Sequence, residues 1–483
     1  MAEASLPEIN GDVPLVYILS LNCWGLKYIS KHRAARLNEI SLRIANASPQ
    51  YDIVALQEFW VYSDYLNLRQ KTSAVLPYGK FYFSGAIGGG LVVLSKWPIE
   101  QSSMFRYPLN GRPTAFFRGD FYVGKGVACA TIRHPSGRIL DVFNTHLHAP
   151  YEQTDTYLCH RTAQAWEMAK LLRGAVQKNH VAIGLGDFNM IPSSLAHRII
   201  STNGLVSDSW LSAYPDTPSI RPPNATAQHN IEVLGTTCDS VLNTWRMPGP
   251  NIPPQDSVDP RAQRLDYVFH SPRTSSVRAI KVAMIDPMQI PSEGKGSGGV
   301  MSVSDHFAVD VVLALAPSEE QQNALNRGHS MDPQPMRTLI EVAGSARAQE
   351  ADLVGQVGEK DEKYIPQEVL NEILAVRKKY ADREQKEYKW RIAHFWASIP
   401  ALVATHVGVW WSPHNGVSFM LVFVSWVIAV TGVMDGLIGF IFTGSELRAL
   451  KEFEEEVVMY KKLAAASVSA KSGTNASFRE TDH

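Results

Sequence analysis

The chain is poor in cysteine: Cys23, Cys129, Cys159 and Cys238 are its four cysteines, and no two of them form a C-x-x-C pair. This pattern argues against a cysteine-ligated zinc site and a disulfide scaffold, and it favours a reducing compartment. The first ten residues, MAEASLPEIN, contain no basic and apolar run. We therefore expect no cleavable secretion signal.

An excess of basic charge is also absent. The 46 Lys and Arg residues stand against 47 Asp and Glu residues, which gives a formal net charge of -1. A protein dedicated to nucleic acid usually carries a basic excess that displaces counterions from the phosphates. We therefore expect no nucleic-acid partner. The charge balance weakens the case for a nuclease function but does not exclude it.

The stretch GDFYVGKG, residues 119 to 126, lacks one part of a nucleotide-binding loop. Gly119, Gly124 and Lys125 have the spacing of G-x-x-x-x-G-K-[ST], but Gly126 occupies the position of the hydroxyl residue that holds Mg²⁺. The next residues, VACATIR, are short and β-branched, whereas a nucleotide loop opens a helix. We predict a glycine-rich turn between two strands, with a nucleotide site as the alternative.

Two long apolar runs lie near the C-terminus, at about 393–411 and 417–442. Each has the roughly 20 residues that a bilayer span needs. Basic residues precede the first run and the loop between the runs has none, so we expect the long part before the first run and both termini to be cytosolic. The endoplasmic reticulum and the mitochondrion are the two candidate membranes. A helical hairpin buried in a soluble core is the alternative.

A basic segment precedes the first apolar run. Basic side chains near a membrane attract anionic phospholipids at about 1 kcal/mol per charge. Acidic residues are interspersed, so a solvated helix face is the alternative. The candidate lipid-binding residues are Arg377, Lys378, Lys379, Lys386, Lys389 and Arg391.

Composition divides the chain into five parts. The segment between the first part and the basic helix is rich in Gln, Glu, Ser, Gly and Ala, which indicates a linker. We expect the helices that flank the apolar runs to pack together. The predicted parts are a catalytic domain at 1–316, a linker at 317–364, a juxtamembrane helix at 365–392, two transmembrane helices at 393–443, and a cytosolic helix with a polar tail at 444–483.

In the first part, strand hairpins alternate with strand and helix units, which predicts an α/β sandwich of sheets flanked by helices. Eight polar residues stand at or just beyond the ends of strand-like runs, where loops present side chains to a common rim. They are rich in oxygen ligands, with two imidazoles and no thiolate, a set that favours Mg²⁺, with Mn²⁺ as the alternative ion. The eight are Asn22, Glu58, His146, Asp187, Asn189, Asp266, Asp305 and His306.

The motifs LNCWG, QE, NTH, GDFN, RLDYV and SDH, in this order, resemble those of the endonuclease/exonuclease/phosphatase superfamily across residues 14–315. The resemblance implies a DNase I-like four-layer α/β sandwich. LNCWGLKYISKHRAARL, RGDFYVGKG, NTHLHAPY and the two C-terminal apolar runs resemble neutral sphingomyelinases, and in particular fungal inositol phosphosphingolipid phospholipases C. This likeness implies Mg²⁺-dependent hydrolysis of phosphosphingolipids to ceramide and a phosphorylated headgroup.

The resemblance also implies roles for the metal and the base. Glu58 would bind Mg²⁺ with Asn22 beside it, and Asp305 would lie near the metal. His306, held in its tautomer by Asp266, would take a proton from the attacking water, because imidazole titrates near neutral pH.

Further residues would handle the phosphate. Asp187 and Asn189 would orient the water and the phosphate, and His146 would donate to a phosphoryl oxygen. Whether Asp187 also protonates the leaving oxygen stays open. By the same resemblance, Asp120 and Lys125 of GDFYVGKG would support lipid hydrolysis rather than nucleotide binding.

Several alternatives to this function stay open. A nuclease or an inositol phosphate phosphatase shares the fold, but these enzymes usually follow SDH with a small residue and Pro, where this chain has Phe307 and Ala308. A non-catalytic membrane scaffold would be expected to lose part of the site. Within the lipid reading, the headgroup is either inositol phosphate or phosphocholine, and the fungal likeness favours the former. The oligomeric state stays undetermined.

Overall fold

A computed structural model of the chain describes residues 13–151, 154–246, 252–290, 299–317 and 364–477. The interior of the predicted linker, residues 318–363, and residues 478–483 of the predicted polar tail lie outside the described residues.

Two six-stranded sheets form the centre of the catalytic domain. The strands of the first sheet are β1 (Leu15–Asn22), β2 (Ile53–Gln57), β3 (Tyr78–Tyr82), β4 (Leu91–Ser95), β11 (Ser275–Ala283) and β14 (Ala308–Leu315). Their order across the sheet is β11-β14-β1-β2-β4-β3. Because β1 and β2 run parallel, both strands end at the same edge.

The second sheet contains β5 (Ile99–Arg106), β6 (Gly126–Arg133), β7 (Ile139–His146), β8 (Val181–Asp187), β9 (Ser207–Asp208) and β10 (Asp266–His270). Their order is β5-β6-β7-β8-β10-β9, with β7 and β8 parallel and β10 antiparallel to β8. A separate pair is formed by β12 (Met288–Gln289) and β13 (Val300–Met301).

Ten α-helices lie among the described residues. The seven in the catalytic domain are α1 (Arg33–Ala45), α2 (Tyr62–Thr72), α3 (Asp120–Val123), α4 (Leu158–Gln177), α5 (Leu195–Asn203), α6 (Ser209–Ala213) and α7 (Ala227–Glu232). The three C-terminal ones are α8 (Gln367–Trp410), α9 (Asn415–Leu437) and α10 (Gly444–Ser477), with a π-helical segment at Ile438–Thr443 between the last two.

The two sheets pack face to face. Val16 and Ile18 of β1 and Val142 and Ile183 of the second sheet are fully buried in the core between them. The outer face of the first sheet is covered by α1 and α2, and that of the second by α4 and α5. This arrangement is the predicted four-layer α/β sandwich, and each central strand is apolar on both faces because each face meets another layer.

The C-terminal helices add a further layer on α4. Leu370 of α8 and Leu450 of α10 are fully buried in the same core as Trp166 of α4. Arg377 of α8 donates to the backbone oxygen of Leu450 at 3.0 Å. The two helices therefore pack together, as expected, and both contact the catalytic domain.

Two helices are long and apolar enough to cross a membrane, by length and composition. They are α8 and the helical stretch from Asn415 to Ala466, and only 6% and 11% of their most apolar windows are buried in the structure. That exposure disfavours a hairpin buried in a soluble core, since such a hairpin would be covered by protein. The boundary predicted at residue 392 falls inside α8, which is continuous there.

The strand-like runs of the sequence correspond to β1, β2, β4, β6, β7, β8, β10 and β14. One part of the expectation was wrong: Asp266 begins β10 instead of following a strand, and Asp305 and His306 precede β14. They still reach the predicted rim, because β10 is antiparallel to β8 and its first residue pairs with Asp187, the last residue of β8. GDFYVGKG, called the Asp120 turn below, connects β5 to β6: Asp120–Val123 form the single-turn helix α3, Gly126 begins β6, and no helix follows Lys125.

Candidate active site

Strand register aligns three of the predicted side chains at one edge of the second sheet. His146 is the last residue of β7 and pairs with Asp187, the last residue of β8. Asp187 also pairs with Asp266 on its other side. All three side chains are buried, so they meet in an environment in which charge interactions are strong.

The first sheet contributes Asn22 and Glu58 to the same edge. The amide nitrogen Nδ2 of Asn22 donates to Glu58 Oε1 at 3.1 Å and to Asp187 Oδ2 at 3.0 Å. Asn22 thus joins the two sheets at the site. Glu58 adopts a left-handed backbone conformation with φ 52, which is uncommon for a residue other than glycine and often marks a functional position.

His306 is held by a carboxylate partner. Its Nδ1 lies 2.8 Å from Asp266 Oδ2, while its Nε2 lies 3.9 Å from Asp187 Oδ2. Burial alone would lower the pKa of His306, but nearby Cys238, Asp266 and Asp187 raise it well above its usual value. The hydrogen bond to Asp266 leaves Nε2 as the nitrogen that faces the centre of the site.

Two groups of side chains are suited to a divalent cation: the first is Asp187, Asp266 and His306, and the second is Glu58 and Asp305. Asp187, Asp266 and His306 each offer a ligand atom, and these atoms lie within 4.8 Å of one another. In the second group, the buried Oε2 of Glu58 has no hydrogen-bond partner and is therefore available to a cation. Burial, and then the negative charge of Asp305, raise the pKa of Glu58 to about 7.

The second group fits a metal better. An unpartnered carboxylate oxygen beside a second carboxylate is costly when buried, and a cation between Glu58 and Asp305 would remove that cost. Asp266 Oδ1 is likewise buried without a hydrogen-bond partner, but the other oxygen of Asp266 is already held by His306 Nδ1 at 2.8 Å. Glu58 and Asp305 stay the predicted ligands that best suit a divalent cation. Asn22, the third predicted ligand, turns its amide nitrogen towards Glu58, and its Oδ1 accepts from the backbone N–H of Trp24 at 3.0 Å.

The predicted phosphate-handling residues surround Asp187. The backbone nitrogen of Asn189 donates to Asp187 Oδ1 at 2.9 Å, and its side chain donates to the backbone oxygen of Leu147 at 3.1 Å. His146 Nε2 lies 3.4 Å from Asp187 Oδ2. Burial and then the charge of Lys125 lower the pKa of His146 well below its usual value, so this imidazole is neutral.

Asp187 itself is buried, and this burial raises its pKa to about 6. Its two oxygens accept the hydrogen bonds from Asn189 and Asn22 described above, which act in the opposite direction by favouring the carboxylate.

Asp120 and Lys125 form a buried ion pair, with 3.3 Å between Asp120 Oδ1 and Lys125 Nζ. Lys125 also donates to the backbone oxygen of Leu147, the residue that follows His146. The turn between them depends on Gly124, at φ 65, because a Cβ there would lie 2.7 Å from the backbone nitrogen of Gly85. The pair therefore lies beside the rim, because Lys125 contacts the residue that is next in sequence to His146.

Sequence reasoning missed two residues that enclose this pair. The hydroxyl of Tyr151 donates to Asp120 Oδ2 at 2.5 Å, and His148 Nε2 lies 3.4 Å from the same oxygen. Both belong to NTHLHAPY, a motif that carried the family resemblance but of which only His146 was selected. Nothing in their spacing indicated that they would meet a loop 30 residues earlier in the chain.

The basic residues of α8 divide into two groups. Arg377 forms an ion pair with Glu454, and Arg391 forms ion pairs with Asp435 and Glu387, so both are engaged within the protein. Lys378, Lys379, Lys386 and Lys389 are exposed, although Lys378 pairs with Asp382. The exposed lysines stay better candidates than Arg377 and Arg391 for binding lipid headgroups.

Two stacked sheets whose shared edge gathers carboxylates, amides and imidazoles define a protein of the DNase I-like class. A family model described as "Endonuclease/Exonuclease/phosphatase family" matches residues 19–306, which contain every predicted metal and catalytic residue. The chain belongs to this family.

The chain is similar to two yeast proteins over nearly its whole length. It is 40% identical to the "Inositol phosphosphingolipids phospholipase C" of Schizosaccharomyces pombe over 93% of this chain and 95% of that protein. It is 33% identical to the protein of the same name from Saccharomyces cerevisiae, over 93% and 91%. Among solved structures, it resembles sphingomyelinase C from Streptomyces griseocarneus with 19% identity and a TM-score of 0.41, over 62% of this chain and 99% of that one.

Proposed function

We propose that the chain is a divalent-metal-dependent phospholipase C that hydrolyses phosphosphingolipids to ceramide and a phosphorylated headgroup. The observation that supports this most is the convergence of Asn22, Glu58, Asp187 and His306 from two sheets at one edge, in a chain that is similar to its yeast relatives almost from end to end. A non-catalytic scaffold does not require buried carboxylates and imidazoles with shifted pKa values to converge at one edge.

In this mechanism His306 is the general base and acts in its neutral form. The positive charge of a cation held by Glu58 and Asp305 would oppose the neighbouring negative groups that raise the pKa of His306. Its Nε2 accepts a proton from water while the water oxygen forms a bond to phosphorus, and the bond between phosphorus and the ceramide oxygen breaks. Asp266 fixes the ring through Nδ1 and stabilises the imidazolium that forms. The ceramide oxygen receives a proton, and the phosphate stays on the headgroup.

The remaining residues bind and orient. Glu58, with Asn22 and Asp305 beside it, would hold Mg²⁺ or Mn²⁺, which supplies positive charge to phosphoryl oxygens and to the leaving oxygen. Asn189 and His146 donate hydrogen bonds to phosphoryl oxygens. Asp187 orients water and Asn22, and its pKa of about 6 makes it a candidate donor of the proton that the leaving oxygen takes up.

Lys125 and Asp120 have a positioning role in this proposal. Lys125 fixes the backbone of Leu147 and thereby the segment that carries His146, and Asp120 balances the buried charge. The proposed headgroup is inositol phosphate, because both relatives that match along more than nine-tenths of the chain have that headgroup in their names. Sphingomyelin is the second candidate: the human "Sphingomyelin phosphodiesterase 2" is 42% identical, but over 37% of this chain.

The proposal includes a membrane anchor. The predicted transmembrane part, residues 393–443, crosses the bilayer as a hairpin, with the catalytic domain, 1–316, and the flanking parts 365–392 and 444–483 on the cytosolic side. The exposed lysines of α8 bind anionic phospholipids at the surface. The host membrane is that of the endoplasmic reticulum or the mitochondrion.

The test uses the full chain in phosphatidylcholine vesicles. Inositol phosphoceramide, sphingomyelin, abasic DNA and an inositol polyphosphate are supplied in turn, each with Mg²⁺, with Mn²⁺ or with a chelator. We expect metal-dependent release of ceramide, faster from inositol phosphoceramide. Cleavage of DNA or of the inositol phosphate without turnover of either lipid would overturn the proposal.

A further inference from the structure

The loops around the active site expose large apolar side chains. Tyr28 is 89% exposed and Ile29 is 69% exposed, in the turn that follows β1. Phe83 and Ile87 are exposed between β3 and β4, Phe117 precedes the Asp120 turn, and Ile191 follows β8. A soluble surface rarely exposes large apolar groups on several neighbouring loops, and such a surface commonly marks an interaction site.

Sheet register places all of these loops at the edge that holds the site. β1 and β2 end there with Asn22 and Gln57, and β4 begins there, because it is antiparallel to β2. In the second sheet, the loop between β5 and β6 lies at the edge where Val127 pairs with Thr145, next to His146. The loop at 83–90 is joined to the Asp120 turn, since Ala86 donates its backbone N–H to the oxygen of Tyr122 at 2.8 Å.

This edge is continuous with the apolar helices. Phe121, in the Asp120 turn, packs edge to face against Phe442, with 5.3 Å between the ring centroids. Phe442 belongs to the π-helical segment that directly follows α9. The mouth of the site therefore lies beside the end of a helix that is apolar enough to cross a bilayer.

The charges at the edge suit a lipid surface. Lys27 and Lys31 are exposed and flank Tyr28 and Ile29 in the sequence. A tyrosine and an aliphatic side chain between two lysines is typical of a segment that lies at the boundary between headgroups and acyl chains, where the ring and the alkyl group enter and the ammonium groups stay outside.

We propose that the mouth of the active site carries a membrane-insertion surface, formed by Tyr28, Ile29, Phe83, Ile87, Phe117 and Ile191, which enters the same bilayer that holds α8 and α9. The inference rests on the proposed function in one respect, the crossing of a bilayer by these two helices. Its consequence is that the substrate phosphate reaches Glu58 and His306 from the membrane, without leaving the headgroup layer.

The first experiment measures how deeply labelled side chains enter the bilayer, and it does not depend on enzymatic activity. Ile29→Cys and Phe117→Cys are labelled with an environment-sensitive fluorophore in the full chain, reconstituted in nanodiscs of phosphatidylcholine and phosphatidylserine. Tyr78→Cys is the control, because Tyr78 is also partly exposed but lies at the opposite edge of the first sheet. The unsubstituted chain, labelled in parallel, gives the background from Cys23, Cys129, Cys159 and Cys238.

We expect a lipid-attached nitroxide to quench the probes at positions 29 and 117 and to leave the probe at position 78 unquenched. Equal quenching at all three positions would overturn the proposal. Shielding from an aqueous quencher without quenching by the lipid nitroxide would also overturn it, and would assign the surface to a second copy of this chain.

The second experiment measures interfacial catalysis. The double variant Tyr28→Ser, Ile29→Ser is compared with Tyr78→Ser on inositol phosphoceramide in vesicles and on a short-chain analogue dissolved as monomers. We expect vesicle activity of the double variant to fall about tenfold more than its activity on monomers, as lost burial of two side chains predicts. Equal losses on both substrates would contradict the proposal, while absence of hydrolysis by the parent chain would refute the proposed function and leave the depth measurement valid.

Discussion

Two histidines of the catalytic domain have nearly the same hydrogen bond. His306 Nδ1 lies 2.8 Å from Asp266 Oδ2, and His180 Nδ1 lies 2.7 Å from Asp141 Oδ2. They differ in position: His306 lies at the edge that holds Asp187, whereas His180 precedes β8 at the opposite edge. A histidine paired with an aspartate is therefore not a catalytic base by itself, and the surrounding acids and amides make the difference.

The pair gives a matched test of the base. We expect His306→Ala to lower kcat on phosphosphingolipid by about 10²–10⁴-fold, because general base catalysis contributes that much. His180→Ala removes the same kind of hydrogen bond and should keep most of the activity. The measurement is ceramide release with each variant at saturating Mg²⁺. Similar losses in both variants would show that the His306 effect is structural.

The buried ion pair between Asp208 and Arg264 connects stability to pH. Burial opposes ionisation of Asp208, but Arg264, at 2.8 Å, and His197 outweigh it and hold the pKa of Asp208 below its usual value. A lowered folded-state pKa contributes stability above the unfolded pKa of about 3.9, and this contribution is lost as the pH falls through the folded value.

We therefore expect Asp208→Asn to be less stable than the parent at pH 7, by about 3–5 kcal/mol, because it leaves Arg264 buried without its charge partner. The difference should begin to shrink below pH of about 4, where the unfolded parent takes up a proton, and should disappear as the pH falls through the lower folded-state pKa, where the folded parent also loses the charge. Thermal unfolding followed by fluorescence measures both effects. Glu100→Gln, which breaks the exposed pair with Arg133, is the control and should unfold at the parent temperature.

At the scale of elements, strands were the predictable part. Short apolar runs gave β1, β2, β7 and β8, and polar residues at their ends gave Asn22, Glu58, His146 and Asp187, since parallel strands end at one edge. The contacts of His148 and Tyr151 with Asp120 could not be predicted, because they depend on how two long loops fold against each other. The docking of α8 and α10 on α4 could not be predicted either, because an amphipathic pattern shows that a helix face is buried but not which surface buries it.

The two apolar helices pack through small residues. A Cβ at Gly432 of α9 would lie 2.5 Å from Ser398 Cβ of α8, and one at Gly436 would lie 2.6 Å from the ring of Phe395. Glycine at such positions lets two helices approach closely, which stabilises association where apolar burial against lipid gives little.

Gly432→Val should separate α8 from α9 and destabilise the hairpin by about 1–3 kcal/mol, the usual effect of overpacking. Gly416→Val is the matched control on the same helix, because nothing lies within 4 Å of a Cβ at that position. We expect a lower thermal midpoint in detergent micelles for Gly432→Val and little change for the control. A Gly432→Val midpoint as high as that of Gly416→Val would mean that the close approach does not contribute to stability.

At the scale of the whole molecule, the C-terminal helices and the catalytic domain are one packed unit. His160 of α4 bonds to Glu446 of α10 at 3.1 Å, and Tyr380 of α8 donates to the same carboxylate at 2.7 Å. Trp166 of α4 donates to Glu456 at 2.9 Å. These contacts fix the position of the site relative to the apolar helices. In the proposed membrane topology the enzyme would therefore act on lipids in its own membrane.

This arrangement predicts hydrolysis in cis. Vesicles that contain the full chain and fluorescent inositol phosphoceramide are mixed with protein-free vesicles that contain the same lipid with a second fluorophore. We expect ceramide to form at least about 100-fold faster in the protein-containing vesicles, because anchoring raises the effective concentration of the enzyme. Similar rates in both vesicle populations would contradict anchoring as the source of access to substrate.

Helix α8 is continuous for 44 residues, about 66 Å, and neither glycine nor proline interrupts it between Gln367 and Ile399. Up to Pro400 it is therefore a stiff lever, which begins against the catalytic domain and, in the proposed topology, ends in the bilayer. A membrane whose thickness differs from the apolar length of the hairpin changes the tilt of that lever. Because neither glycine nor proline provides a hinge between Gln367 and Ile399, the catalytic domain would tilt with the helix, and in the proposed topology lipid composition would change the orientation of the active-site opening.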